Sequence, residues 1–124
     1  MNIRSGYTCP LEIVHDIIKG KWKTIIMFQL RKGNLTLSEL EHGIEGITQK
    51  MLLQQLNELQ QFGLVSKNVF PGYPLHVEYF LTERKGRRML EAIQIMQEIG
   101  IEYMDEHGLV RKHSAPAEMR SSAK

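Results

Sequence analysis

The chain has 124 residues, of which 42% are hydrophobic and 24% charged, the size and composition of one globular domain. It contains no run of about 18 apolar residues that could cross a membrane as a helix, and its single cysteine, Cys9, excludes an internal disulfide framework. Because the first residues also lack the apolar stretch of a signal peptide, we expect a cytoplasmic protein.

The net charge of +2 is unevenly distributed along the chain. Residues 1–88 carry 12 Lys/Arg against 8 Asp/Glu, whereas residues 89–110 carry five Asp/Glu and no Lys/Arg. Residues 111–124 carry four basic residues against one acidic residue. The basic first part suits a polyanionic partner, and the acidic part belongs to a different role.

Three short helices are predicted in the first part of the chain. The first begins at Cys9-Pro10, since proline suits the first helical position, and ends at Gly20. The second runs from about Lys21 to Arg31 and the third from Thr36 to about His42. In the first helix Leu11, Val14, Ile17 and Ile18 recur at helical spacing. The side chains expected to face inward in the next two helices are Trp22, Ile25, Ile26, Leu30, Leu37, Leu40 and Ile44.

The fourth helix has the clearest pattern, with Thr48 as its N-cap and Gly63 as its end. Leu52, Leu56 and Leu59 cluster on one face. The residues on the opposite face are polar and include no acid: Lys50, Gln54, Asn57 and Gln61. Such a face indicates a polyanionic partner, although polar faces also occur on helices that only face water.

The pattern then changes to short strands. Leu64 to Phe70 and His76 to Thr82 are rich in strand formers and flank the turn cluster Pro71-Gly72-Tyr73-Pro74, which predicts a hairpin. A long helix is expected from about Glu83 to Glu106, and residues 111–124 are expected to be a disordered basic tail.

This order of elements predicts an α+β, mostly helical fold over residues 1–110: a winged helix-turn-helix with a long C-terminal dimerisation helix. In such a fold the fourth helix enters the major groove of double-stranded DNA, and the hairpin, or wing, lies along the backbone or minor groove. The candidate DNA contacts are Thr48, Gln49, Lys50, Leu53, Gln54 and Asn57 on the helix, and Lys67, Tyr73 and His76 on the wing.

The side chains on the fourth helix match different features of DNA. Gln54 and Asn57 can each make a bidentate contact to adenine, and Lys50 can reach a guanine or a phosphate. Leu53 can touch a thymine methyl group. Thr48 and Gln49, at the N-terminus of the helix, are placed for phosphate contacts.

The final helix carries more apolar residues than one packing stripe requires: Met89, Leu90, Ile93, Met96, Ile99, Ile101, Tyr103 and Met104. Such a surface favours pairing with a second copy, so we expect a homodimer that binds an inverted-repeat operator. The alternative is that the helix folds back on its own chain.

Along residues 7–109 the sequence resembles the HxlR family of bacterial winged-helix regulators. The segments that carry the resemblance are Cys9-Pro10, Gly20-Lys21-Trp22, Ile25-Ile26, Leu30, Leu37-Ser38-Glu39-Leu40, Gly46-Ile47-Thr48-Gln49-Lys50-Met51-Leu52, Leu56-Asn57-Glu58-Leu59, Gly63-Leu64-Val65, Val77-Glu78-Tyr79 and Leu81-Thr82. The resemblance implies dimeric DNA binding with the roles assigned above.

Cys9 is a candidate sensor. At a helix N-cap the helix dipole favours the thiolate, although Glu12 opposes this effect. The resemblance suggests a switch that responds to an oxidant or electrophile, since several family members use a cysteine in the equivalent Cys-Pro pair in this way. The alternative is a small buried apolar residue.

No paired carboxylates, phosphate-cradling glycine loop or metal-ligand motif is present, so we predict no catalytic residues, no metal and no cofactor, and we do not expect an enzyme. Three other interpretations stay open. The chain could be a winged-helix module for protein interaction or dimerisation, a thiol-dependent enzyme built around Cys9, or a regulator that responds to a small ligand.

Overall fold

The computed structural model describes residues 3–110, so the predicted tail at residues 111–124 lies outside it. The elements within this part are α1 (Pro10–Ile18), α2 (Lys23–Gln29), a short 3-10 turn (Leu30–Lys32), α3 (Leu37–Gly43), α4 (Gln49–Gln61), β1 (Val65–Phe70), β2 (His76–Leu81) and α5 (Lys85–Glu106). Each predicted element is confirmed, with most boundaries within about two residues.

Helix α1 starts as expected, with Cys9 as the N-cap and Pro10 in the first position. Leu11, the first of the apolar residues at helical spacing in this helix, is 73% exposed. Leu11 lies in the first turn, and no residue of α1 is fully buried. The described part of the chain therefore does not cover the start of this helix.

Helix α2 is shorter than predicted and buries a different stripe. Its buried residues are Lys23, Ile26 and Met27, and Leu30 continues the stripe into the 3-10 turn. This spacing of i, i+3, i+4 and i+7 is one face of a helix. The prediction that Ile25 faces inward is wrong, since Ile25 is 37% exposed at the margin of a stripe that begins with a lysine.

Helices α3 and α4 are each fixed at their N-terminus by a threonine. The Thr36 hydroxyl accepts a hydrogen bond from the Glu39 amide (3.2 Å), and the Glu39 carboxylate accepts one from the Thr36 amide (2.8 Å), forming a capping box. At α4 the Thr48 hydroxyl accepts from the Met51 amide (3.1 Å). Between the helices Gly46 has φ +85°, a conformation that favours glycine.

The end of α4 leads directly into the hairpin. Gly63, with φ +79°, donates to the Gln60 carbonyl, and the Leu64 amide donates to that of Leu59, which is a Schellman motif. Strands β1 and β2 are antiparallel, and Val65 pairs with Leu81 in the buried half of the hairpin. The chain thus passes from α4 into the wing without a flexible linker.

Two further contacts fasten the hairpin. Leu35 and Tyr79 exchange backbone hydrogen bonds of 3.0 and 2.7 Å across an isolated antiparallel bridge. Where β2 leads into α5, the Thr82 hydroxyl donates to the Gly63 carbonyl (2.7 Å) and accepts from the Gly86 amide (2.8 Å). Gly86 lies against the Leu64 carbonyl, so a β-carbon at this position would clash with backbone.

The core is formed by side chains of α2, the 3-10 turn, α3, α4 and the base of the hairpin. Its largest fully buried members are Ile26, Met27, Leu30, Leu40, Leu52, Leu56, Leu59 and Val65. The chain divides into two compact units, the first ending at Leu90 and the second beginning at Glu91, inside α5. In residues 3–110 no helix is long and apolar enough to cross a membrane.

Candidate nucleic-acid interface

The outer face of α4 is polar and accessible. The six residues predicted on this helix to contact DNA are all exposed: Thr48, Gln49, Lys50, Leu53, Gln54 and Asn57. Gln61, one turn beyond Asn57, is also exposed. The structure therefore brings together the polar groups that the sequence placed on one face, with Leu53 (37% exposed) at its edge.

The inner face of α4 is held by apolar packing. Leu52, Leu56 and Leu59 each have no exposed surface. Burying a leucine side chain stabilises the folded state by roughly 1.5–3 kcal/mol relative to leaving it exposed. Three such residues on one helix hold α4 against the core.

A second attachment of α4 was not predicted from the sequence. The side chain of Lys23 is only 7% exposed. Its ammonium group lies 2.6 Å from a carboxylate oxygen of Glu58 and 2.8 Å from the side-chain oxygen of Gln55. The available signal was the position of Lys23, three and four residues before the apolar Ile26 and Met27. A lysine on that face needs a hydrogen-bond acceptor, but the sequence does not show which residue supplies it.

The predicted wing residues occupy different parts of the hairpin. Phe70 pairs with His76, so residues 71–75 form the tip, and Tyr73 at the tip is fully exposed. Lys67 pairs with Tyr79. Because side chains alternate along a strand, Lys67 and His76 lie on opposite faces of the hairpin, although both are exposed.

An acidic group on the wing changes its electrostatics. The Nε2 atom of His76 lies 2.9 Å from a carboxylate oxygen of Glu78, and the Asn34 amide donates to the other oxygen at 3.4 Å. The hydrogen bond from His76, followed by that from Asn34, lowers the pKa of Glu78 below its ordinary value. Glu78 is therefore ionised at neutral pH, and its negative charge offsets any positive charge on His76.

Cys9 lies on a different element from the predicted DNA contacts, at the N-cap of α1, and is exposed. The alternative of a buried apolar cysteine is thus contradicted within the described chain. The Glu12 carboxylate accepts hydrogen bonds from the Thr8 hydroxyl (2.8 Å), the Cys9 amide (2.8 Å) and the Thr8 amide (2.6 Å). These bonds lower the pKa of Glu12, which places a fixed negative charge beside the thiol.

The segment before Cys9 is fastened to α1. One carboxylate oxygen of Asp16 accepts from the Arg4 guanidinium and from the Tyr7 hydroxyl, each at 2.8 Å. Arg4 also lies 4.6 Å from the centre of the Tyr7 ring. The bond from Arg4, then that from Tyr7, lowers the pKa of Asp16, so the chain leading to Cys9 is held by a charged cluster.

The part of α5 in the second unit has an apolar exposed side. Ile95, Met96, Ile99 and Tyr103 are between 47% and 59% exposed. At 3.6 residues per turn these four positions fall within an arc of about 100°. A continuous apolar strip of this kind is typical of a surface that is covered by a partner.

In residues 3–110 no group of three or more His, Cys, Asp or Glu side chains could hold a metal ion. What the described chain does contain is a pair of helices joined by a tight turn, followed by a hairpin. The second helix of the pair, α4, has a polar outer face. These features define the winged helix-turn-helix class of DNA-binding proteins.

The chain belongs to the HxlR-like helix-turn-helix family, whose model matches residues 17–108. A relative from Methanothermobacter thermautotrophicus, named an HTH-type transcriptional regulator, is 39% identical over 97 residues, which cover 78% of this chain and 73% of the relative. This protein is accordingly a helix-turn-helix transcription regulator. The interpretation as a thiol-dependent enzyme is set aside.

Two solved regulators are similar to the chain. The reduced form of the redox regulator HypR superposes with a TM-score of 0.75 at 36% identity, covering 81% of this chain and 98% of that one. The reduced form of the transcriptional regulator YodB from Bacillus subtilis gives a TM-score of 0.64 at 35% identity, covering 73% and 89%. An oxidised HypR and a diamide-treated YodB are also similar.

Proposed function

We propose that the protein acts as a homodimer that binds an inverted-repeat operator, with α4 of each subunit in the major groove. The observation that carries this proposal is the outer face of α4. Lys50, Gln54, Asn57 and Gln61 are exposed together, with no acidic residue among them. A rigid, acid-free polar face fits the negative potential and the hydrogen-bonding edges of DNA.

In this arrangement the α4 side chains have distinct roles. Gln54 and Asn57 each donate to and accept from an adenine, Lys50 binds a guanine or a phosphate, and Leu53 contacts a thymine methyl group. The backbone amides at the N-terminus of the helix, at Thr48 and Gln49, hold a phosphate and set the register of the helix on the DNA.

The wing contributes through shape more than through charge. Lys67 supplies a cation, whereas His76 lies 2.9 Å from the carboxylate of Glu78, whose negative charge is repelled by the phosphates. Lys67 and His76 point to opposite faces. Both can therefore contact DNA at once if the hairpin enters the minor groove edge-on, with the exposed Tyr73 at its tip deepest in the groove.

A second copy of the chain is the partner we propose for the apolar strip of α5. A two-fold dimer places the two α4 helices about 34–36 Å apart, one turn of DNA. This geometry requires half-sites of opposite orientation, which is why the expected operator is an inverted repeat.

The test begins with selection of duplexes by the wild-type protein from a random-sequence pool. We expect enrichment of an inverted repeat with adenines in each half-site. Fluorescence anisotropy then compares the selected duplex with a scrambled one. Gln54→Ala removes one bidentate base contact from each of the two half-sites, at about 1–3 kcal/mol for each contact, and should reduce this preference about 30-fold or more.

The matched control is Gln61→Ala, which removes the same side chain from the last residue of α4, two turns further along the helix. We expect less than a threefold effect. If the wild-type protein enriches no sequence and binds all duplexes alike, specific DNA binding is refuted. The module for protein interaction then becomes the better interpretation.

We also propose that Cys9 makes DNA binding responsive to oxidants. Its exposure and its position at the helix N-cap support this, and two similar structures are of a protein named as a redox regulator. With a single cysteine in the chain, oxidation by diamide removes one hydrogen from each of two Cys9 thiols. A disulfide forms between the subunits, and diamide is reduced to the hydrazine.

Diamide should therefore change the affinity for the selected duplex at least threefold and produce a species of twice the mass on a non-reducing gel. Both effects should reverse with dithiothreitol. Because Cys9→Ser leaves the chain without a thiol, a response to diamide that persists in this variant contradicts the proposal. Cys9→Ser without diamide should bind like the reduced wild type.

A further inference from the structure

A buried lysine on α2 donates hydrogen bonds to two side chains on one flank of α4. Lys23 is 6% exposed as a residue, and its ammonium group contacts Glu58 at 2.6 Å and Gln55 at 2.8 Å. The two acceptors are three residues apart, which places them on adjacent turns of α4. Each of them directly follows a predicted base-reading residue, Gln54 or Asn57, in the sequence.

We propose that Lys23 is a positioning residue that fixes the rotation of α4 about its axis and so sets the sequence specificity of DNA binding. The inference rests on the proposed function, in which α4 reads base edges. It assigns the accuracy of that reading to a residue that does not itself face the DNA.

The arrangement of side chains around α4 explains why such a restraint is needed. At 100° per residue, the buried leucines 52, 56 and 59 occupy an arc opposite the polar face, and Gln55 and Glu58 lie on one flank between the two. Apolar burial is not directional, so the leucines oppose removal of α4 from the core more than they oppose a small rotation. Hydrogen bonds to an ammonium group are directional and act at the flank, where they resist rotation.

A small rotation matters at the DNA surface. With a helix radius of about 5–6 Å including side chains, a rotation of about 20° moves an outward group by about 2 Å. The side chains of a binding site must be held within about 10–20° of the orientation in which they bind. A rotation that barely changes the packing of α4 would therefore misalign the amides of Gln54 and Asn57 with a base edge.

Stability alone does not account for the ion pair of the buried Lys23 with the partly exposed Glu58. Replacing both members of such a pair by apolar residues of similar size is often neutral or stabilising, since desolvation offsets much of the attraction between the charges. This property separates the two roles experimentally. A variant with an apolar pair retains the packing and the net charge but lacks the directional restraint.

The variant is Lys23→Met combined with Glu58→Met, and its control is Lys21→Met, which removes an exposed lysine two residues away. Anisotropy at 25 °C, on duplexes selected by the wild-type protein and on scrambled duplexes, gives the ratio of the two affinities. Thermal unfolding is followed separately by circular dichroism. We expect the double variant to unfold cooperatively and to bind scrambled DNA within about twofold of wild type. Its affinity ratio should fall tenfold or more, while that of the control should stay within about twofold of wild type.

An unchanged ratio in the folded double variant overturns the inference while leaving the proposed function intact. If the double variant does not unfold cooperatively, Glu58→Gln takes its place, because Glu58 is partly exposed and glutamine keeps its shape. A ratio reduced about threefold in Glu58→Gln supports the inference, and an unchanged ratio overturns it. If the wild-type protein itself prefers no sequence, the proposed function fails, and this inference fails with it.

Discussion

Helix α4 and the C-terminal part of α5 are both amphipathic, but their exposed sides have opposite chemistry. The exposed side of α4 carries amides and a lysine, whereas that of α5 carries Ile95, Met96, Ile99 and Tyr103. The two helices also differ in charge, since residues 89–110 contain five Asp/Glu and no Lys/Arg. A helix with these acids would be repelled by DNA, and one with the α4 face would gain little from apolar contact.

The two helices also differ in how they are fastened. Within the first unit α4 has a threonine cap, a Schellman end, three buried leucines and the contact with Lys23. In the second unit, by contrast, most residues of α5 are exposed. We infer that α4 is rigid before it meets its partner, whereas the apolar strip of α5 depends more on the partner for its burial.

The largest effect should come from the buried side of α4. Leu56→Ala leaves a cavity at a site with no exposed surface, and we expect a loss of about 3–5 kcal/mol in the free energy of unfolding. Leu53→Ala removes the same atoms from a residue that is 37% exposed and should cost less than about 1 kcal/mol. Urea unfolding followed by circular dichroism measures both. Equal losses in the two variants would contradict the assignment of an inner and an outer side.

The next effect concerns the apolar strip of α5. Ile99→Glu places a charge in the proposed subunit contact, and we expect self-association to weaken about 100-fold or more, because an unpaired carboxylate is costly to bury. Gln94→Glu adds the same charge to an exposed position on another side of the helix and should change self-association less than fivefold. Sedimentation equilibrium measures both dissociation constants. If Ile99→Glu dimerises as the wild type does, the strip is not the subunit contact.

The fold could be predicted largely from the sequence, because each local signal agreed with the packing. Thr48 and Gly63 define the ends of α4, and the change from helical to strand periodicity after Gly63 indicates the hairpin. The error at Ile25 and the exposure of Leu11 have a common cause. Apolar spacing indicates which side chains share a face, but not whether another element covers that face.

The candidate site could be predicted only in part. The exposed face of α4 follows from the helical period, so all its members were identified. The contacts of Lys23 with Glu58 and of His76 with Glu78 were not predicted, although the wing pair is only two residues apart. The first contact depends on which helices pack together, and the second depends on side-chain rotamers, so neither is determined by spacing.

A smaller effect is expected at the N-cap of α4. Thr48→Ala removes the acceptor of the Met51 amide bond and should lower the free energy of unfolding by about 1 kcal/mol, whereas Thr48→Ser should retain most of it. Urea unfolding measures the change in stability. The proposed phosphate contact at this position is made by backbone amides, which Thr48→Ala retains, so binding to selected and scrambled duplexes should change little and by the same factor. A change in their ratio would instead give Thr48 a role in reading bases.

The smallest expected effect is a change in the salt dependence of DNA binding. Salt should affect the exposed side of α4, which binds DNA, and the apolar strip of α5 differently. Each phosphate contact contributes about −0.9 to the slope of log affinity against log salt concentration, so losing one contact per subunit should make the slope of a dimer shallower by about 2. Lys50→Met should therefore reduce the salt dependence of DNA binding by this amount. Self-association through the strip of α5 should stay nearly constant, or strengthen slightly as its acidic residues are screened. An unchanged slope in Lys50→Met, with a reduced preference for the selected duplex, would place Lys50 on a base edge and leave the phosphate contacts to other residues.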